Sequence, residues 1–179
     1  MIIFLGIAGA GKGTQASVLA DYFQSVPLST GEILRRHKND KEIQNYLGKG
    51  KLVPDKVLLP IIEKEIIKAG GEHDHVILDG MPRTMSQAKW LVGRIAEGKF
   101  ELNGIVHFNL SPKVAKERLL KRHRSDDTDD VIAQRFEEYK KNILPIISYF
   151  KSQDFKVHQV NANQPVKKVS QDVKAVLGV

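Results

Sequence analysis

The sequence predicts an α/β fold of three layers, in which a parallel sheet of about five strands is covered by helices. Three observations carry that expectation. Short apolar, β-rich runs alternate with helical patterns along the chain. The first run, Ile2 to Leu5, passes directly into the glycine-rich stretch Gly6-Ile7-Ala8-Gly9-Ala10-Gly11 and then into a helical pattern. A later run ends in Leu78-Asp79-Gly80, placing a carboxylate and a turn where a strand would close.

Taken in order, Ile2–Leu5 is the first strand and residues 12–24 form an amphipathic helix beginning near Lys12. Val26–Leu28 is a second short strand. Residues 30–53 differ in character: short helical pieces, many charges, Gly48-Lys49-Gly50 and little apolar material predict a small, mobile subdomain protruding from the sheet. A helix over 54–69, the strand Val76–Leu78, a helix over 84–98, the strand Ile105–Leu110 and a helix over 112–123 follow. Pro54, Pro112 and Pro165 sit at helix starts, where a missing N–H costs little. A long helix over 128–152 contains Pro145, which predicts a kink. The strand Phe155–Val160 and a helix over 165–177 complete the chain. Repeats, low-complexity tracts and Ser/Gly linkers are absent, so residues 1–179 read as a single domain.

A chain of 179 residues is long enough to bury roughly 70% of its unfolded surface. With no cysteine, disulfides and thiolate zinc sites are excluded. No apolar run approaches the roughly 20 residues of a membrane span, so a cytoplasmic location without membrane attachment is expected. The formal charge of +7 raises nucleic acid as a partner. The basic residues are, however, dispersed through helices of mixed charge, with no aromatic-and-basic platform, and small phosphorylated ligands are the better expectation.

Such ligands suit the loop. Glycines let successive N–H groups turn inward, and the helix N-terminus adds partial positive charge, so the stretch reads as a phosphate-binding loop (P-loop). Lys12 supplies a full charge and Thr14 a hydroxyl, one residue later than the usual Gly-Lys-Ser/Thr spacing, where Gly13 stands instead. Asp79 falls at the carboxyl end of a strand beside that loop, a place from which it could help hold Mg²⁺, through water, because Mg²⁺ keeps much of its hydration shell. Arg35, Arg83, Arg118, Arg122, Arg124 and Arg135 add planar donor forks suited to phosphate oxygens, and Arg118 and Arg122 lie one helical turn apart. Any one arginine is ordinarily a solvated ion pair. Together with a phosphate loop, they suit a reaction between two phosphorylated partners that needs charge neutralisation from several sides and no covalent intermediate.

These motifs, in this order, resemble those of adenylate kinases within the nucleoside monophosphate kinase family, colinearly over essentially the whole chain. The resemblance implies that Gly9, Ala10, Gly11, Lys12, Gly13 and Thr14 cradle the phosphates of ATP, with Arg118 against its adenine, Arg122 also on ATP, and the loop around Gln164 in Asn161-Ala162-Asn163-Gln164-Pro165-Val166 flanking the base. Ser29-Thr30-Gly31-Glu32-Ile33-Leu34-Arg35 resembles the monophosphate-binding segment, which implies Thr30 and Gly31 near the adenine of AMP and Arg35 on its phosphate. Lys51, Leu52 and Val53 would close over the AMP base and ribose. Asp79-Gly80-Met81-Pro82-Arg83-Thr84, followed by Gln87, implies Gly80 and Arg83 at the AMP phosphate and Gln87 on the adenine edge. Arg124-Ser125-Asp126-Asp127 and Arg135 resemble the lid end and its arginines, so Lys12, Arg83, Arg122, Arg124 and Arg135 become the expected catalytic set. The implied activity is reversible, Mg²⁺-dependent transfer from ATP to AMP giving two ADP, by a monomer.

Thr30 and Gln87 offer groups that pair with an adenine edge, and a site of specific hydrogen bonds penalises a base that leaves them unpaired. The departures from the family pattern are Ala8 where proline is common, Met81 where phenylalanine is usual, and a lid reduced to residues 122–127, with only His123 between Arg122 and Arg124. So short a cover predicts weaker ATP retention and some wasteful hydrolysis, unless another chain supplies it. The competing readings are a kinase for CMP, UMP or dAMP, a catalytically weak nucleotide-binding regulator, and a nucleic-acid-associated ATPase; retention of Lys12, Arg83 and Arg135 together argues against the regulator. The histidines show no shared metal-ligand spacing, and Trp90 reads as packing.

Overall fold

A computed structural model describes residues 1–25, 27–37, 39–48, 51–70, 76–122 and 127–179. Its centre is one five-stranded sheet, all parallel, in the order β2-β3-β1-β4-β5, formed by β1 (Ile2–Gly6), β2 (Pro27–Ser29), β3 (Ile77–Asp79), β4 (Gly104–Asn109) and β5 (Val157–Asn161). Strand β1 is central, pairing Phe4 with Asp79 on one side and with Val106 on the other. Because the chain crosses from β1 to β2 on one side and from β3 to β4 on the other, the loops after these strands open a crevice at their carboxyl ends. Val26, expected in the second strand, lies outside the described residues.

The two faces of the sheet are read off the period-two alternation of β1. Ile2 and Phe4 join Ile77, Val106 and Phe108 under α1 (Lys12–Phe23) and α9 (Val166–Leu177). Phe4 and Phe108 meet there edge to face, 4.9 Å between centroids. Ile3 and Leu5 face the other way, joining Leu78 and Ile105 with Ile62 and Ile66 of α4 (Asp55–Lys68), Leu91 of α5 (Met85–Ala96) and Phe150 of α8 (Leu144–Ser152). Three helix starts carry side-chain caps: Thr84 accepts from the Gln87 N–H before α5, Ser111 from the Val114 N–H before α6 (Pro112–Lys121), and Thr128 from the Val131 N–H before α7 (Asp129–Glu138).

Within residues 30–53, Ile33 and Leu34 of α2 (Thr30–Arg36), Ile43 of α3 (Lys41–Gly48) and Val53 are buried in the cluster that includes Leu78 and Leu28. Short helices place few apolar residues on one face, and the sequence pattern understated them. The stretch expected as one kinked helix over 128–152 is α7, a π-helical turn at Tyr139–Ile143, and α8 with Pro145 in its first turn. The wider turn accommodates a ring that cannot donate to the carbonyl four residues back. Among the described residues no helix is long and apolar enough to cross a membrane.

Candidate active site

The glycine loop closes tightly on its neighbours. Gly9 has φ 84°, and a Cβ there would stand 2.7 Å from the main-chain oxygen of Ala115 in α6, so no other residue fits without moving backbone. Gly11, with φ 86°, turns the chain into α1, and Ala10 beside it is buried. Lys12 folds back over this loop: Nζ donates to the Gly6 oxygen at 2.9 Å and the Ile7 oxygen at 3.0 Å. Burial holds its pKa below the ordinary lysine value; the Asp79 carboxylate opposes that shift, while Arg83 and Arg122 add to it. Asp79 ends β3 alongside the start of α1, its Oδ2 standing 3.5 Å from where a Cβ on Gly13 would be, and Thr14 is exposed one residue further.

On the β2–β3 side of the loop lies a cleft of about 400 Å³, counting its open mouth. Leu34, Leu47, Leu52, Val53 and Leu58 give it an apolar wall, Gly31 and Gly80 a backbone floor, and Thr30, Lys51, Arg83 and Gln87 its polar groups. The Thr30 hydroxyl is buried and has no hydrogen-bond partner, an arrangement that costs free energy unless a ligand supplies one. Arg83 folds over Gly80, Nε donating to the Gly80 oxygen at 2.8 Å. Arg83 is exposed, with Asp79, Glu138, Arg135 and Arg35 all near enough to act on its charge. Desolvation lowers its pKa from the usual arginine value; Asp79 and Glu138 counter this, and Arg135 and Arg35 reinforce it. Arg35 is not part of the cleft wall; its Nη1 packs 3.4 Å from a Cβ position on Gly31. Leu34, Leu47 and Leu58 had no functional reading in the sequence, although Leu34 lies one helical turn beyond Thr30 and shares its face.

Across the crevice, Arg122 ends α6 and grips Asp127 with two bonds, Nε to Oδ2 at 2.9 Å and Nη2 to Oδ1 at 2.8 Å. Arg135 of α7 donates Nη1 to the same Oδ1 at 2.9 Å. Burial of the Asp127 carboxyl pushes its pKa up, and hydrogen bonds and charge from Arg122 and Arg135 outweigh this, leaving it below the ordinary aspartate value. Arg118 is half-buried on α6. Gln164 donates Nε2 to the Asn161 oxygen at 2.8 Å and to Asp172 Oδ2 at 2.8 Å, tying its loop to α9. Arg124 lies outside the described residues, as do His123, Ser125 and Asp126. Among the described residues no three His, Asp or Glu side chains converge as a metal cage. A divalent ion here would rest on Asp79, the Thr14 hydroxyl, water and the ligand's own phosphates, the donor set Mg²⁺ prefers.

Two polar networks escaped the sequence reading. Asp55 accepts from Gln87 Nε2 at 2.6 Å behind the cleft. His107 of β4 is buried, with Gln159 Oε1 2.7 Å from Nδ1 and the Tyr139 hydroxyl 2.7 Å from Nε2, which moors the π turn to the sheet. Neither pairing leaves a local signature, because the partners lie on different elements.

Comparison with known proteins gives the family. The family model described as adenylate kinase matches residues 4–155. "Adenylate kinase 1" of Nostoc sp. is 35% identical over 182 residues, covering 99% of this chain and 98% of the relative. "Adenylate kinase" of Prochlorococcus marinus is 36% identical over 180 residues, covering 97% and 96%. That of Corynebacterium urealyticum is 31% identical over 175 residues, covering 95% and 94%.

Proposed function

The chain belongs to the adenylate kinase family, and from that premise we propose that it catalyses reversible transfer of the γ-phosphoryl group of ATP to AMP, giving two ADP. The bond from the γ-phosphorus to the bridging oxygen breaks, a bond from that phosphorus to an AMP phosphate oxygen forms, and each product leaves as ADP. The attacking oxygen is already anionic, so no strong general base is required. The observation that carries the reading is the cleft joining a buried, unpartnered Thr30 hydroxyl to Arg83 and Gln87, opening beside the loop of Lys12.

In this reading Thr30 and Gln87 face the AMP base, Gly31, Gly80, Lys51, Leu52 and Val53 enclose it, and Arg35 and Arg83 hold its phosphate. The loop from Gly9 to Thr14 takes the ATP phosphates, with Lys12, Arg122, Arg124 and Arg135 around the moving group and Arg118 and Gln164 at the donor base. Bound with the nucleotides, Mg²⁺ supplies charge neutralisation, and Asp79 and Thr14 are the residues to hold it. Lys12 must exchange the Gly6 and Ile7 carbonyls for phosphate oxygens, and Arg122 and Arg135 must share their bonds to Asp127. Residues 30–53 act as the closing monophosphate-binding segment and residues 122–127 as a residual lid.

The test is ADP formation from ATP and Mg²⁺ with AMP, CMP, UMP or no acceptor. Turnover is expected with AMP, with slow hydrolysis in its absence, and Arg83→Ala is expected to lower kcat/KM about a hundredfold or more. Equal rates with all acceptors, or an Arg83→Ala variant as active as the parent, refute the assignment.

A further inference from the structure

Gln87 is 1% exposed and its amide is clamped at both ends. The main-chain N–H of Arg83 donates to Oε1 at 2.7 Å, and Nε2 donates to Asp55 Oδ1 at 2.6 Å. Each partner has only one role: a main-chain N–H donates and an ionised carboxylate accepts. The two ends of this amide are therefore assigned by chemistry and not by shape. Turning it over would set Oε1 against a carboxylate oxygen and the NH₂ against an N–H, two repulsions in a site shielded from water.

The carboxylate is itself held. Asp55 stands in the first turn of α4, where negative charge is favoured. Its Oδ2 accepts from Thr84 Oγ1 at 3.1 Å and also from the Ser86 hydroxyl. An amide carries two N–H donors and two carbonyl lone pairs, so the clamp leaves one of each, in a fixed order. At position 6 of its ring adenine offers an amino donor next to a ring-nitrogen acceptor. A 6-oxopurine replaces that donor with a carbonyl acceptor. An amide free to turn over satisfies either base, whereas a clamped one satisfies only one.

We infer that Asp55 is a specificity-setting positioning residue: by fixing which end of the Gln87 amide faces the cleft, it makes the acceptor site favour a 6-aminopurine monophosphate over a 6-oxopurine one. This rests on the cleft being the AMP site. Asp55 does not touch the base, and acts only through Gln87.

The experiment compares kcat/KM for AMP and IMP, with ATP and Mg²⁺ saturating, in the parent enzyme and in Asp55→Asn and Asp55→Glu. IMP is the probe because it differs from AMP at position 6 and in the protonation of the adjoining ring nitrogen. The parent should favour AMP strongly. Asp55→Asn, whose own amide presents either a donor or an acceptor, should reduce the AMP-to-IMP ratio about tenfold, the worth of one redirected hydrogen bond. Asp55→Glu, still acceptor-only, should keep most of the ratio. The KM for ATP should not move. If Asp55 serves only to tie α4 to α5, the Asn variant will melt earlier and lose AMP and IMP turnover in equal proportion, and the inference is overturned. A parent enzyme that uses IMP as well as AMP overturns it without any variant. A parent that turns over neither refutes the AMP reading itself, a separate result from a parent that turns over both.

Discussion

The cleft proposed for the monophosphate and the cation cluster proposed for the donor share one edge of the sheet, yet they are built in opposite ways. The cleft has leucine and valine walls, a clamped Gln87 and a Thr30 hydroxyl without a partner. The donor side has Lys12 bonded to its own loop, and Arg122 and Arg135 both bonded to Asp127. A neutral base can be met by a rigid, prebuilt surface, because unpaired dipoles and apolar walls do not repel one another. Clustered cations do, and in a partly exposed crevice the Asp127 carboxylate holds Arg122 and Arg135 together. In the proposed reading, recognition rests on a prebuilt surface with fixed hydrogen-bonding groups, and transition-state charge on an exchangeable ion-pair network.

Three measurements strain that contrast, the largest effect first. Lys12→Met should lower kcat by about 10²- to 10³-fold, the range for one donor aimed at developing charge. Because the lysine is partly desolvated, the melting temperature should hold or rise. A marked drop in melting temperature would mean that the lysine is chiefly a structural clasp for the loop.

Asp127→Asn tests the network itself. The carboxylate side chain is 1% exposed but its arginines are 36% and 23% exposed, so the loss in unfolding free energy should be about 1–2 kcal/mol, below that of a wholly buried pair. The sign with pH follows from the depressed pKa: the contribution is present above the ordinary value of 3.8 and is lost as pH falls through the lower folded value. Denaturant titrations at successive pH values should show that acid-side slope in the parent and not in the variant, while the KM for AMP stays unchanged. A shift in AMP affinity would join the two regions that the structure separates.

The smallest effect concerns His107, beneath the donor side. Burial lowers its pKa, the Gln159 hydrogen bond opposing and Lys12 and Lys151 adding to the shift. The unfolded chain therefore takes up a proton first as pH falls below 6.5, and stability declines from there down to the folded value. His107→Gln should flatten melting curves across that window without altering the AMP-to-IMP ratio.

Much of the site was legible because its residues are close in the chain. The glycine loop with Lys12 is read from covalent spacing and from the strand and helix on either side. Asp79, Gly80 and Arg83 are likewise one strand end and its turn. The Asp55–Gln87 clamp joins residues 32 apart, and the same sequence would read identically if the two never met. The shared carboxylate was half visible: the Asp126-Asp127 pair stood out, but which arginines it would hold depended on how α6 and α7 pack. The burial of Ile33 and Ile43 was missed for a related reason, since two short helices show too few turns for periodicity to declare a buried face.

By itself, then, the sequence determined the order of strands and helices, the phosphate loop and the set of cations, because backbone geometry and residue chemistry act over a few neighbouring positions. Only the tertiary structure decided which of those charges meet, that two arginines share one carboxylate, that Thr30 is left without a partner and that an amide behind the cleft has a fixed orientation. Hydrogen bonds and ion pairs act over about 3 Å in space, whatever the distance along the chain, and a parallel sheet brings its strand ends to one edge from segments scattered through the whole sequence.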